Sequence, residues 1–243
     1  MILTTSSGPL TSAGSHIRQI FRSPVSWACV GVILGIQTIV ALGGGPDAWA
    51  PCFVNLGLSR EGFLSGKIWQ IVSYGFLHGG WWHVGVNAVF ILVIGSRIEY
   101  IAGRARMLVA LFAGILGGGV FHLLLGDGLL VGISGACLAL LLLLTTLSPE
   151  SRFFPLPISG KSLGLGILLA ALIFTLLNPI LKLPGFAGIG ELLVEQGMDS
   201  LFQLGHACHL GGGLAGWLCG RWILRPRVTL ERLRRKRTRR EAD

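Results

Sequence analysis

Charge is what this chain has least of. Only 13% of its 243 residues are Asp, Glu, Lys or Arg, 52% are hydrophobic, and the mean hydropathy is +0.71. A soluble domain of this size carries about a quarter charged residues. The shortfall excludes an ordinary water-soluble globule and puts most of the chain in lipid. Regular cysteine pairs are missing too. Cys29, Cys52, Cys137, Cys208 and Cys219 fall mostly within apolar runs without CxxC spacing, which argues against a disulfide framework or a zinc ribbon. There is no HExxH or regular ligand spacing to recruit His206, Cys208, His209 and Cys137 as ligands, so no metal is expected. No internal repeat is visible, which speaks against a transporter built from paired halves. A cleavable leader is not expected either, because residues 1–23 are polar and the apolar run that follows is long enough to span.

What is present is a series of apolar runs. Val25–Gly44 supplies twenty residues, enough to cross ~30 Å of hydrocarbon. Residues 48–80 mix Arg60, Glu61 and Lys67 with Trp49, Phe53, Phe63 and Trp69. They are too polar to span, and their aromatics suit the lipid–water interface, so an external loop with interfacial helices is expected. Further spans follow at Trp82–Ala102, Met107–Leu125, Ser134–Leu147, Leu163–Leu181 and Leu204–Leu224. The expected plan is an all-α membrane protein with a tail over 1–23, a six-helix bundle over 24–224 and a basic tail over 225–243.

Positive charge orients the plan. With the N-terminus in the cytoplasm, 17 of the 20 Lys and Arg lie on the cytoplasmic side, leaving Arg60, Lys67 and Lys182 outside. Nine of those 17 lie between Arg225 and Arg240. Such a tail reads as a topology anchor on anionic membrane lipid, and no nucleic-acid partner is expected.

The polar residues inside the runs then converge. In this topology the second, fourth and sixth spans begin at the outer face. Ser134 opens the fourth, flanked by Gly132 and Gly135, and His209 lies about five residues into the sixth, roughly 8 Å down. His83 and Asn87 share a face of the second at i,i+4 spacing. The fourth run, at about 14 residues or ~21 Å, is too short for the full core, which sinks Ser134 below the surface. His209, Gly212, Gly216 and Gly220 form one small-residue stripe, which lets two helix backbones come close. A serine and a histidine brought together this way form the minimal acyl-transfer pair. Free N–H groups at the helix start, the Asn87 amide and the His83 ring are available as oxyanion donors. His206, three residues before His209, competes for the role of base, and the stripe favours His209. Glu99 is expected to pair with an arginine.

Gly132-Ile133-Ser134-Gly135-Ala136, His83-Val84-Gly85-Val86-Asn87 and the run from His209 to Gly216 resemble the three signature motifs of rhomboid intramembrane serine proteases. Leu77-His78 and Gly95–Gly103 are similar as well, and the likeness runs from about Trp69 to Gly220. The resemblance implies Ser134 as nucleophile, His209 as general base and later acid, and an oxyanion hole from His83, Asn87 and the Ser134 N–H, with Gly132 beside it. It also implies the six-helix fold, an external loop lying sideways in the membrane, transmembrane protein substrates, and no cofactor. Three departures stand out: Gln70 where many members have an arginine that anchors the loop, Leu138 in place of a tyrosine that would support the histidine, and a long loop over 182–203. The rivals are a non-proteolytic relative that binds transmembrane segments for quality control, and a small-solute transporter or channel. The six-span plan and basic tail point to a bacterial cell membrane. Oligomeric state is not legible.

Overall fold

The computed structural model describes residues 17–152, 158–225 and 237–238. Most of the N-terminal tail, part of the linker between the fourth and fifth runs, and nearly all of the basic tail lie outside these residues. Helices occupy all six expected places: α1 Pro24–Leu42, α2 Trp81–Ala102, α3 Arg104–Leu125, α4 Ser134–Leu147, α5 Gly160–Leu176 and α6 His206–Ile223. By length and composition α1, α2 and α3 are able to cross a membrane, while α4 and α5 are apolar but shorter.

The core is built around α4. Ten of its 14 residues are buried, and it touches α2, α3, α5 and α6. An all-round apolar helix of this kind belongs inside a bundle, because it has no polar face to give to water. Two helices reach it closely through glycine. A side chain at Gly212 of α6 would strike the Gly135 backbone, one at Gly216 the Ala139 backbone, and one at Gly220 the Thr146 side chain. The stripe on α6 therefore meets positions 135, 139 and 146 of α4. On the α3 side, Gly114 sits against Ala136 and Ala139, and Gly117 of α3 faces Gly211 of α6. Close backbone approach is how helices gain packing energy where lipid removes the hydrophobic drive.

Helix α2 contains a π-helical segment at Ile91–Gly95 and then continues as Ser96–Ala102. That last segment fixes the start of α1. Glu99, 7% exposed, accepts from the N–H groups of Val25 (3.3 Å) and Ser26 (3.1 Å) and from the Ser26 hydroxyl (3.1 Å). The first N–H groups of a helix lack intrahelical partners and carry partial positive charge, so one carboxylate answers both needs. Arg104 adds the expected ion pair at 3.4 Å.

The connection from α1 to α2 holds short helices at Gly45–Ala48, Ala50–Leu56, Arg60–Leu64 and Gln70–Ser73. Gln70 is fully buried at its centre. Its Nε2 donates to the carbonyls of Val54 (3.0 Å) and Asn55 (3.3 Å), and its Oε1 accepts from Ser59 N–H (3.3 Å). A neutral carboxamide thus anchors the loop, offering donors to one strand of chain and an acceptor to another. Arg60 donates to the carbonyls of Leu123 (2.9 Å) and Leu124 (3.1 Å), closing the C-terminal end of α3.

The end of the fifth run shifts. The fifth run was expected to continue to Leu181, but α5 stops at Leu176 because Pro179 has no N–H to continue it and disfavours a helical residue before it. The Asn178 side chain instead accepts from Ile180 N–H at 3.1 Å and starts a single 3-10 turn. The following loop is structured, with a helix at Ala187–Glu195 and a 3-10 segment at Asp199–Leu204.

Candidate active site

The N-terminal ends of α2, α4 and α6 meet at one end of the bundle, and the loop before Ser134 is pinned there by backbone bonds. Leu58 and Leu130 exchange both N–H···O bonds (3.0 and 2.8 Å), and Gly132 N–H donates to the Tyr74 carbonyl at 3.0 Å. Gly132 itself has φ +113°, a left-handed conformation open to glycine, and a side chain there would lie 2.6 Å from the His83 ring. Gly132, two residues before Ser134, therefore has two reasons to be small. The first helical bond of α4 is Cys137 N–H to Ile133 O at 3.1 Å. The N–H groups of Ser134, Gly135 and Ala136 come before it, where a helix leaves donors for other uses.

The Gly212–Gly135 contact brings α6 against this turn, and with it His209. The His209 Nε2 lies 2.9 Å from the Ser134 Oγ, a full hydrogen bond between side chains 75 residues apart. Both residues are half-buried. Position 138 is Leu, so no tyrosine ring supports His209 from α4. Its ring contact comes instead from its own helix, at His206, which a ring of α5 backs in turn. His206 meets His209 edge-on at 6.1 Å between centroids, and Phe174 stacks on His206 at 4.9 Å. The rival base is committed elsewhere, since the His206 Nε2 is 2.7 Å from the Leu201 carbonyl.

His83 is half-buried beside Gly132, and Asn87 is buried one turn further along α2. His78, in the loop before α2, packs edge-on against His83 at 5.0 Å and is 1% exposed. Burial, with His83 alongside, pushes its imidazole down to about 4, so it is neutral at pH 7. His122 is buried in α3 with Nε2 3.3 Å from the Gly128 carbonyl, which braces the loop leading to Ser134.

A rhomboid domain model matches residues 65–226, about two thirds of the chain. The chain belongs to the rhomboid family. Among similar proteins, Rhomboid-like protein 16, chloroplastic, of Arabidopsis thaliana is 39% identical over 69 residues, 28% of this chain and 21% of that protein. Rhomboid-related protein 3 of Homo sapiens is 31% identical over 68 residues, 28% and 17%. RHOMBOID-like protein 5 of Arabidopsis thaliana is 34% identical over 95 residues, 37% and 31%. The chain thus spans less than a third of the length of each of these relatives. Family membership and the apolar helices make it a multi-pass membrane protein.

Cys137, Tyr74 and Cys208 were not singled out in the sequence as parts of this site. The Cys137 thiol lies 3.6 Å from the Asn87 Oδ1, and the Tyr74 hydroxyl donates to the Ile115 carbonyl at 2.7 Å with the Cys208 sulfur 3.7 Å away. No spacing in one dimension marks them, because each contact joins different helices. His206, Cys208, His209 and Cys137, the candidate metal set, do not come together as a metal-holding group among the described residues.

Proposed function

We propose that this rhomboid is an intramembrane serine endopeptidase that cleaves transmembrane or membrane-adjacent segments of membrane proteins through a Ser134–His209 dyad. The observation that carries the reading is the 2.9 Å contact between Nε2 and Oγ at a glycine-bounded helix start. With Nδ1 protonated, Nε2 is the acceptor and the Ser134 hydroxyl the donor. As Oγ attacks the scissile carbonyl carbon, its proton passes to Nε2 and the carbonyl oxygen becomes an oxyanion. The Ser134 N–H, the His83 ring and the Asn87 amide supply donors for that charge, the type of term that contributes most to acyl transfer. Collapse of the tetrahedral intermediate breaks the C–N bond, and His209 returns the proton to the leaving amine. A water then attacks the acyl-enzyme carbonyl, giving a proton to His209; collapse of this second tetrahedral intermediate breaks the ester C–O bond, and His209 returns the proton to the Ser134 Oγ as the acid leaves.

The substrate segment has to unwind, because a helix commits its carbonyls to internal bonds and lipid offers no replacement. Small or helix-breaking residues at the cut therefore favour cleavage. Six spans with both termini in the cytoplasm, tails over 1–23 and 225–243, and contact of the basic tail with anionic lipid complete the reading. The bacterial cell membrane is carried forward on the span plan and the tail; the relatives matched are plant and human. A non-proteolytic binder of transmembrane segments has no use for a serine–imidazole hydrogen bond, and no observation favours it here. The test is cleavage of a labelled single-span protein by purified protein in detergent. Ser134→Ala and His209→Ala should each abolish the cut while leaving the helical content unchanged. Cleavage that survives Ser134→Ala sinks the mechanism.

A further inference from the structure

The reaction scheme leaves the buried Cys137 thiol, next to the site, without a task. Cys137 is 2% exposed and sits one turn along α4 from Ser134. Its sulfur is 3.6 Å from the Asn87 Oδ1 and 3.8 Å from the Asn87 backbone carbonyl oxygen. Both neighbours are acceptors, so the thiol serves them as a donor. Asn87 is 4% exposed, and its Nδ2 has no hydrogen-bond partner. An unpaired buried donor costs free energy, so a site that keeps one gains where an acceptor arrives during the reaction.

A carboxamide has two ends of nearly equal size, and packing alone does not choose between them. Turned over, Asn87 would set its N–H groups against the thiol and leave Oδ1 as the free end. A free oxygen there would repel the developing oxyanion. We propose that Cys137 is a positioning residue: its thiol holds Oδ1 of Asn87 and keeps Nδ2 as the available donor of the oxyanion hole. The inference rests on the Ser134–His209 reading and adds to it the group that orients one of its donors.

The test compares Cys137→Val, which keeps the bulk and removes the donor, with Cys137→Ser, which keeps a donor. Both are measured in the wild-type and Asn87→Ala backgrounds. The full chain is purified in detergent with the same labelled transmembrane substrate, and kcat, KM and the unfolding temperature are recorded. Losing an oxyanion donor costs about 10²–10³ in kcat, so misorienting one should cost roughly 10-fold. Cys137→Val should lower kcat by that much with KM within about twofold, and Cys137→Ser should recover most of the loss. In the Asn87→Ala background, Cys137→Val should have no further effect, because coupled residues are non-additive. Wild-type kcat in Cys137→Val overturns the proposal, as does an equal loss in Cys137→Ser or a full additional loss on Asn87→Ala. A wild-type protein that cuts nothing would instead overturn the protease reading beneath it.

Discussion

Substituting Gly212 tests whether helix approach sets the catalytic distance. A methyl group at 212 would collide with the Gly135 carbonyl and sit 2.8 Å from the Gly135 Cα. Carbon atoms in contact stand ~3.5–4.0 Å apart, so α6 has to move off α4 by about 1 Å. Neither atom belongs to a flexible side chain, so the strain cannot be absorbed by a rotamer change. Overpacking of this type costs about 1–3 kcal/mol, which a bundle with this many helix contacts survives. The catalytic pair is less tolerant. Ser134 adjoins Gly135 and His209 lies one turn before Gly212, so the shift appears directly in the 2.9 Å bond. A displacement of about 1 Å at a reacting pair is worth roughly 10²-fold in rate. Gly212→Ala should therefore fold, lose a few degrees of thermal stability in detergent, and cleave a transmembrane substrate about 100-fold more slowly. Gly166→Ala on α5 serves as the control, because a side chain there meets nothing within 4 Å. Wild-type cleavage by a folded Gly212→Ala protein would refute the reasoning.

Glu99→Gln should destabilise the fold by about 1–3 kcal/mol, since it weakens charge-assisted bonds at the start of α1; thermal unfolding in detergent reads this out, and an unchanged midpoint would contradict it. Gln70→Ala should free the segment around Val54, Asn55 and Ser59, visible as faster limited proteolysis between residues 50 and 64, with the rest of the bundle retained. His78 is neutral in the folded protein down to about pH 4 but takes a proton near pH 6.5 when unfolded. The unfolded state binds more protons between those values, so stability falls as pH drops from 6.5 to 4, by up to about 3 kcal/mol from this residue. His78→Gln should flatten the slope of stability against pH in that window; an unchanged slope would show that His78 is not its source.

Much of the plan could be read along the chain. The fourth helix begins at Ser134 and ends at Leu147 where its apolar run does, because glycine and a polar turn precede it and Ser148-Pro149 follow. The glycine stripe on α6 predicts a close helix partner, and the structure shows that partner to be α4, at the residue next to Ser134. Glu99 meets an arginine as expected, at Arg104, but its further bonds to the start of α1 were not legible, since no residue in Val25–Ser26 signals them apart from position in the helix. The Gln70 contacts were not legible for a related reason: the glutamine bonds backbone carbonyls, and carbonyls carry no residue identity. The end of α5 was marked by Asn178-Pro179 and lost against the strength of the apolar run to Leu181. Cys137 was legible only as a rejected metal ligand, and its contact with Asn87 lay beyond sequence reasoning, since an apolar helix hides a thiol as readily as a leucine.

The most direct measurement of the central claim is labelling with a fluorophosphonate, which reacts with a serine only when that serine is activated. After digestion and mass spectrometry the label should lie on Ser134 of the wild-type protein and be lost from folded His209→Ala, while His206→Ala keeps it. A label on any other serine, or undiminished labelling of Ser134 without His209, would contradict the account.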